Sequence, residues 1–198
     1  MTKEKVRRGV SKTQWLEVAM RRLCDHSVAD ITVEGLAKEL GIAKSGFYWH
    51  FKSREELLDA LLNYWVHEVT EVITVNVEVD ALEPKARLIK SAEMIHELDL
   101  TRYEIGIRQF ALRDKRAFRA VKKANNLRAE FIRKAFSELG FTGDDLEMRT
   151  MLFACYHTWE TSMFPDVPRK RRKELIGKRL DLLTANVPSQ EIDTQLPD

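Results

Sequence analysis

The chain has 198 residues, 44% of them apolar and 32% charged, with 33 Lys and Arg against 31 Asp and Glu. That length supports one or two domains with a substantial core. No apolar run is long enough to span a bilayer, and the opening stretch MTKEKVRRGVSK has no apolar segment of the secretory kind, so the expected location is cytoplasmic, with no membrane partner. Cys24 and Cys155 have no second cysteine or nearby histidine at metal-ligand spacing. They suit buried thiols in a reducing compartment, and neither a metal nor a cofactor is expected. The near-neutral total hides an asymmetry, because residues 1–54 hold eleven Lys or Arg against six Asp or Glu, and residues 55–198 hold twenty-two against twenty-five. A positive end on a near-neutral body is what a phosphate-binding module joined to a second domain shows, although a charge run alone is more often a solvated face.

Apolar residues recur at three- and four-residue spacing along nearly the whole chain, which predicts an all-α fold. Residues 11–26 place Trp15, Val18, Ala19 and Leu23 on one face. A short helix is predicted over 33–40, with Thr32 as N-cap, Ile31 and Leu36 at the spacing of a hydrophobic staple, and Gly41 as its end. A second short helix is predicted over 44–50. Ser53 and Glu56 form the pattern of a capping box before the apolar face Leu57, Leu58, Leu61, Leu62, Trp65 and Val69 of a long helix. The stretch VITVNVEVD, residues 72–80, alternates like a strand but has no partner, and is read as the fraying end of the long helix plus a linker. Pro84 opens a helix over 84–98. Thr101 and Glu104 predict a capping box for a helix ending near Leu112. Further helices are predicted from Lys115 to Leu139, closed by Gly140, from Asp145 to Met163, and over 170–184. The first ten residues and the tail 186–198 are expected to be disordered.

Two short helices joined at Gly41, inside the basic end, fit a helix-turn-helix. The turn needs a residue tolerant of positive φ, the first helix needs a small residue at the crossing, and apolar residues must face the hinge. Gly41, Ala37, Leu36, Leu40, Ile42 and Phe47 stand in those places. ITVEGLAKELGIAKSGFYWHFKSREELLDALL, residues 31–62, resembles the DNA-binding domain of the TetR family of bacterial transcriptional regulators, whose second helix ends in a pattern close to Leu-Tyr-x-His-Phe followed by lysine. Here Phe47, Tyr48, Trp49, His50, Phe51 and Lys52 supply it.

The resemblance implies an N-terminal three-helix helix-turn-helix domain, residues 1–54, joined by a linking helix, 55–80, to a helical ligand-binding and dimerisation domain, 81–185. It implies that Phe47 and Phe51 pack inward, that Tyr48, His50 and Lys52 bind phosphate oxygens, and that Lys44, Ser45, Gly46 and Trp49 lie near base edges. Gly46 costs a helix interior about 1 kcal/mol relative to Ala; either it lets the backbone approach the groove or it is a plain stability defect. Thr32 caps a helix and can also offer its hydroxyl and N–H to a phosphate. Ala43 departs from the Ser or Thr common at the N-cap of the recognition helix, removing a cap worth about 1 kcal/mol.

The partners implied are a double-stranded DNA operator, a second copy of the chain as a homodimer, and a small-molecule effector. Candidate dimer residues are Met148, Leu152, Cys155 and Trp159, with Leu175, Leu180 and Leu183 on the last helix; the other reading of these stripes is the monomer's own core. Candidate ligand-binding residues are Trp65, Met94, Tyr103, Phe110, Phe153 and His157, with His96 and Arg108 as further polar groups, although aromatic residues at helical spacing are mostly core. The basic run PRKRRKEL, 168–175, is read as a solvated helix start. No Gly-rich phosphate loop, His-Glu-x-x-His, nucleophile elbow or paired metal-ligand spacing is found, so an enzyme is not expected.

Overall fold

A computed structural model of the chain describes residues 9–186. The expected disorder of the tail falls almost wholly outside those residues. Ten α-helices carry the described chain: α1 Lys12–Asp25, α2 Val33–Leu40, α3 Arg54–Val66, α4 Val72–Thr74, α5 Val77–Asp80, α6 Pro84–Glu97, α7 Glu104–Ala111, α8 Lys115–Glu138, α9 Gly143–Met163 and α10 Arg169–Leu183. No strand occurs among the described residues, so the fold is all-α. The alternating stretch 72–80 is helical on both sides of a break at Asn76, whose side chain accepts from Glu78 N at 3.0 Å and Val79 N at 3.1 Å to start α5.

The chain divides into two compact units, residues 1–69 with 102–124, and residues 70–101 with 125–198. The first unit therefore includes α3, α7 and the start of α8 beside the N-terminal helices. A five-residue π-helix, His67–Glu71, follows α3, and the boundary between Val69 and Thr70 falls inside it.

In the first unit, α1 begins at a capping box in which Ser11 Oγ accepts from Gln14 N at 3.2 Å and Gln14 Oε1 accepts from Ser11 N at 2.8 Å. Its stripe Trp15, Val18, Ala19 and Leu23 is buried, as the periodicity predicts. Thr32 caps α2 by accepting from Gly35 N at 3.1 Å, and the staple residues Ile31 and Leu36 are fully buried. Gly41 takes the left-handed φ of 67° that ends α2, a conformation any side chain would strain. Ser53 caps α3 through Glu56 N at 3.1 Å, but the Glu56 carboxylate accepts from Lys52 N at 2.7 Å, one residue before the cap. The box is thus half formed.

The segment predicted as a second α-helix is a 3₁₀-helix, Lys44–Trp49. Ala43 offers no side-chain cap, and Gly46 sits inside a segment only six residues long, so nothing local favours the wider α-turn. The Thr101 and Glu104 box is not formed either. Residues Leu100–Tyr103 make a 3₁₀ turn, the Thr101 hydroxyl meets that of Thr161 at 3.2 Å, and Glu104 accepts from Arg108 Nε at 3.1 Å.

The core of the second unit includes Leu88 and Ala92 of α6 with Ile176 and Leu180 of α10. The buried Arg87 reaches Glu138 at 2.8 Å and the carbonyls of Asp80 and Leu82 at 3.0 and 3.1 Å, which fixes the link between α5 and α6. The run PRKRRKEL is only partly a solvated helix start: Arg169 Nη2 donates to the last carbonyls of α6, His96 and Glu97, at 3.0 Å each, and Lys173 pairs with Glu97 at 2.8 Å. Cationic groups at a helix C-terminus are favoured by its dipole. The two cysteines are not buried as expected, since Cys24 is half-buried and Cys155 exposed.

One crossing in the first unit admits no side chain. A Cβ on Gly106 of α7 would lie 2.1 Å from the Leu23 carbonyl oxygen of α1. Gly106→Ala is expected to destabilise the protein by about 1–3 kcal/mol or more through forced separation of α1 and α7, read as a lower urea midpoint at unchanged slope; an unchanged midpoint would contradict this packing.

Candidate nucleic-acid interface

The recognition segment is anchored by aromatic packing. Phe47 and Phe51 are buried, with Phe47 edge-on to Trp15 at 5.3 Å and tilted against Phe51 at 5.2 Å, and the Lys12 ammonium lies 5.2 Å from the Phe51 ring centre. Tyr48 and Trp49, which follow Phe47 directly, are 56% and 86% exposed. With about three residues per 3₁₀ turn, burying position 47 turns positions 48 and 49 away from the core. Such exposure of two large rings on a short, positively charged segment calls for a partner with flat faces and negative charge.

Lys44, Ser45 and Lys52 are exposed beside these rings, as is Thr32 at the start of α2. Lys44 is ion-paired with Glu34 of α2, and that hydrogen bond raises the lysine above its usual range and lowers the carboxyl. A phosphate approaching Lys44 therefore competes with Glu34. Gly46 is half-buried, and a Cβ there would lie 3.2 Å from Ile42 Cδ1, so a tight intramolecular contact accounts for its lack of side chain as well as a groove would. His50 is half-buried and its Nε2 donates to the Val10 carbonyl at 2.7 Å, tying the chain before α1 to the recognition segment. Val10, inside the ten residues expected to be disordered, is held by that bond.

Three supports were not legible as pairs in the sequence. Arg54 donates to the carbonyls of Ile31 at 2.6 Å and Val28 at 2.5 Å, fixing the entry to α2. Arg22 pairs with Glu39 at 3.0 Å and donates to the Asp30 carbonyl at 3.2 Å. The Glu34 to Lys44 pair bridges the two halves of the helix-turn-helix. Backbone carbonyls as partners leave no mark on residue type, so only the charge pairs had a sequence signal at all.

The other candidate residues are distributed as follows. Trp65, Tyr103 and Phe110 belong to the first unit, and Met94, Phe153 and His157 to the second. Trp65, Phe110, Phe153 and His157 are buried, while Met94 and Tyr103 are half-buried. On α9, Met148, Leu152, Cys155 and Trp159 are exposed. On α10, Leu175 is half-buried, but Leu180 and Leu183 are buried in their own chain, which corrects their reading as interface residues; Leu182 is the exposed leucine there.

An anchored, charge-flanked recognition segment set across a glycine turn from a capped helix defines a helix-turn-helix DNA-binding domain. Residues 16–61 match the family described as bacterial regulatory proteins, tetR family. That likeness is confined to this N-terminal segment, which is similar to the DNA-binding part of those regulators. The chain is 28% identical over 82 residues to an uncharacterized HTH-type transcriptional regulator, YuxN of Bacillus subtilis (strain 168), a match spanning 41% of this chain and 28% of that relative's length. Among solved structures it resembles a transcriptional regulator from Rhodococcus sp. Rha1 (14% identity, TM-score 0.69, 90% of this chain and 96% of that one). It also resembles a TetR regulator from Haloarcula marismortui (18%, TM-score 0.65, 86% and 96%). The regulator FadR from Bacillus subtilis, solved in complex with stearoyl-CoA, shares the fold at 16% identity, with TM-score 0.64 over 90% of this chain and 100% of that one. At these identities the structural likeness establishes the fold.

Phe47→Ala is expected to cost about 3–5 kcal/mol and to lower the urea midpoint, since it empties the centre of the ring cluster. Trp49→Ala should leave stability within about 0.5 kcal/mol, as exposed substitutions usually do, and weaken DNA binding. Equal destabilisation by the two would show that Trp49 is a packing residue.

Proposed function

We propose that the chain is a repressor that binds a palindromic operator as a homodimer and releases it when a small-molecule effector binds the protein. The observation that carries the DNA-reading part is the exposed Tyr48–Trp49 step, flanked by Lys44 and Lys52 and held from behind by buried Phe47 and Phe51. Tyr48 and Lys52 meet the phosphate backbone, Lys44, Ser45 and Trp49 lie towards the bases, and Thr32 adds a phosphate contact from the N-terminus of α2. His50 acts mainly by holding the chain before α1 in place. Trp49 reads base or sugar surface through its flat face.

A dimer follows from the energetics of site finding. A single module buries roughly 600–1,000 Å² on DNA, and each correctly read base pair contributes about 1–3 kcal/mol, too little to select one genomic site. A two-fold dimer doubles the contacts and matches a palindrome with half-sites one helical turn, or a multiple, apart. The surface for it is the α9 stripe Met148, Met151, Leu152, Cys155, Trp159 and Met163, all exposed and at helical spacing, with Leu182 of α10. Apolar residues massed on one helix face mark an association surface. The effector part is supported by the shared architecture with FadR, which is solved with a ligand bound. A coupling of about 1–3 kcal/mol between effector and operator would change operator affinity some five- to 150-fold.

Lys52→Ala is expected to weaken binding to every DNA sequence and to reduce the slope of log affinity against log salt by about one. Fluorescence anisotropy over a salt series measures it; an unchanged slope would remove Lys52 from the phosphate contacts.

A further inference from the structure

The second unit contains a polar cavity of about 180 Å³ between the end of α6, the turn at Asp99–Thr101, α9 and the first half of α10. Of the ligand residues expected from the sequence, His96 and His157 line it. Three guanidinium groups, of Arg169, Arg172 and Arg179, face it against two carboxylates, Asp99 and Glu160.

The acceptors around those arginines do not balance them. Arg169 spends Nη2 on the carbonyls of His96 and Glu97, and Arg172 spends Nη2 on that of Phe164 at 2.5 Å, neutral partners that leave both charges uncompensated. Arg172 Nε is buried and has no acceptor among the described residues. Arg179 stacks on Tyr156 at 3.6 Å and its polar contacts are all long, to the His157 ring nitrogens at 3.3 and 3.4 Å and to Glu160 at 3.4 Å, and that carboxylate also accepts from Tyr156 Oη at 2.6 Å. Burial first, and the neighbouring arginine second, push His157 down to about 3 and lower His96. Arginines and carboxylates alone give the lining three positive charges against two negative. Arg169 is exposed and Arg172 half-buried, so the desolvated cation is Arg179, and an anion that adds a closer acceptor than Glu160 strengthens its compensation.

We propose that this cavity binds a small organic monocarboxylate, with its carboxylate among Arg169, Arg172 and Arg179 and its short body on the apolar floor of Ala92, Ile95 and Ile176. A cavity of about 180 Å³ has room for a compact acid. Asp99 and Glu160 oppose a doubly charged anion such as phosphate, and the apolar floor has no use for a bare ion. Guanidinium groups pair with planar carboxylates through parallel N–H donors, so the match is one of shape as well as charge. Under the function proposed above this ligand is the effector, but its binding stands independently of that role.

Isothermal titration of the full chain with butyrate, hexanoate and benzoate, alongside the corresponding alcohols, butylamine and inorganic phosphate, tests the site. Saturable binding of at least one carboxylate, without binding of its alcohol or of the amine, is the expected result. Arg179→Met should weaken that binding roughly 10- to 100-fold and Arg179→Lys less, with circular dichroism showing each variant folded; should Arg179→Met fail to fold, Arg169→Gln serves, with a loss of roughly tenfold. No binding by any of the three carboxylates at about 10 mM, tighter binding of phosphate, or binding unchanged in both Arg179→Met and Arg169→Gln would overturn the proposal. Adding the bound carboxylate to the protein on DNA separates the two claims: carboxylate binding that leaves DNA affinity unchanged supports the site and removes the effector role.

Discussion

Phe47 lies edge-on to Trp15 and against Phe51, and what the first unit offers to DNA depends on that contact. Aromatic pairs of this kind add about 0.5–1.5 kcal/mol beyond their burial, a sizeable share of the roughly 5–15 kcal/mol by which a domain is stable. Their more important effect is directional. The recognition segment is a six-residue 3₁₀-helix with no cap and a glycine inside it, so it has little stability of its own. Once Phe47 and Phe51 are fixed in the core, Tyr48 and Trp49 have nowhere to go but outward.

The polar contacts around this anchor work in the same sense. Arg54 on two carbonyls and Thr32 on Gly35 N set the start of α2, while His50 on the Val10 carbonyl holds the chain ahead of α1. Glu34 holds Lys44 across the turn. Exposed ion pairs are worth little to stability, and the effect of this one is on charge, since Glu34 offsets the field of Lys44. Binding and presentation are thereby separated, with rings and carbonyl contacts fixing geometry and the exposed lysines supplying attraction.

Much of the fold was legible in the sequence because helical spacing and end signals act locally. Thr32, Gly41, Ser53, Pro84 and Gly140 mark real element boundaries, and the buried face of α1 follows from its periodicity. The errors arise where tertiary contacts outweigh local pattern. Thr101 and Glu104 have the spacing of a capping box, yet each has a better partner elsewhere, in Thr161 and Arg108. Leu180 and Leu183 lie on a stripe that periodicity cannot assign to a core or to a second chain, and packing within the second unit decides for the core. The 3₁₀ geometry of residues 44–49 was open to inference from Ala43 and Gly46, whereas the His50 bond to a backbone carbonyl forty residues away has no sequence signal. The arginine-lined cavity was hidden for the same reason, since residues of α6, α9 and α10 that converge in space are scattered along the chain.

Under the proposed function, site selectivity resides in the surface displayed by Phe47 and Phe51. Selecting genomic fragments bound by the protein, and then competing the recovered sequence against random duplex at fixed salt, tests it most directly. The expected result is a palindromic sequence preferred by about 10³ or more. Recovery of unrelated fragments bound with equal affinity would contradict it and leave a protein that binds DNA by charge alone.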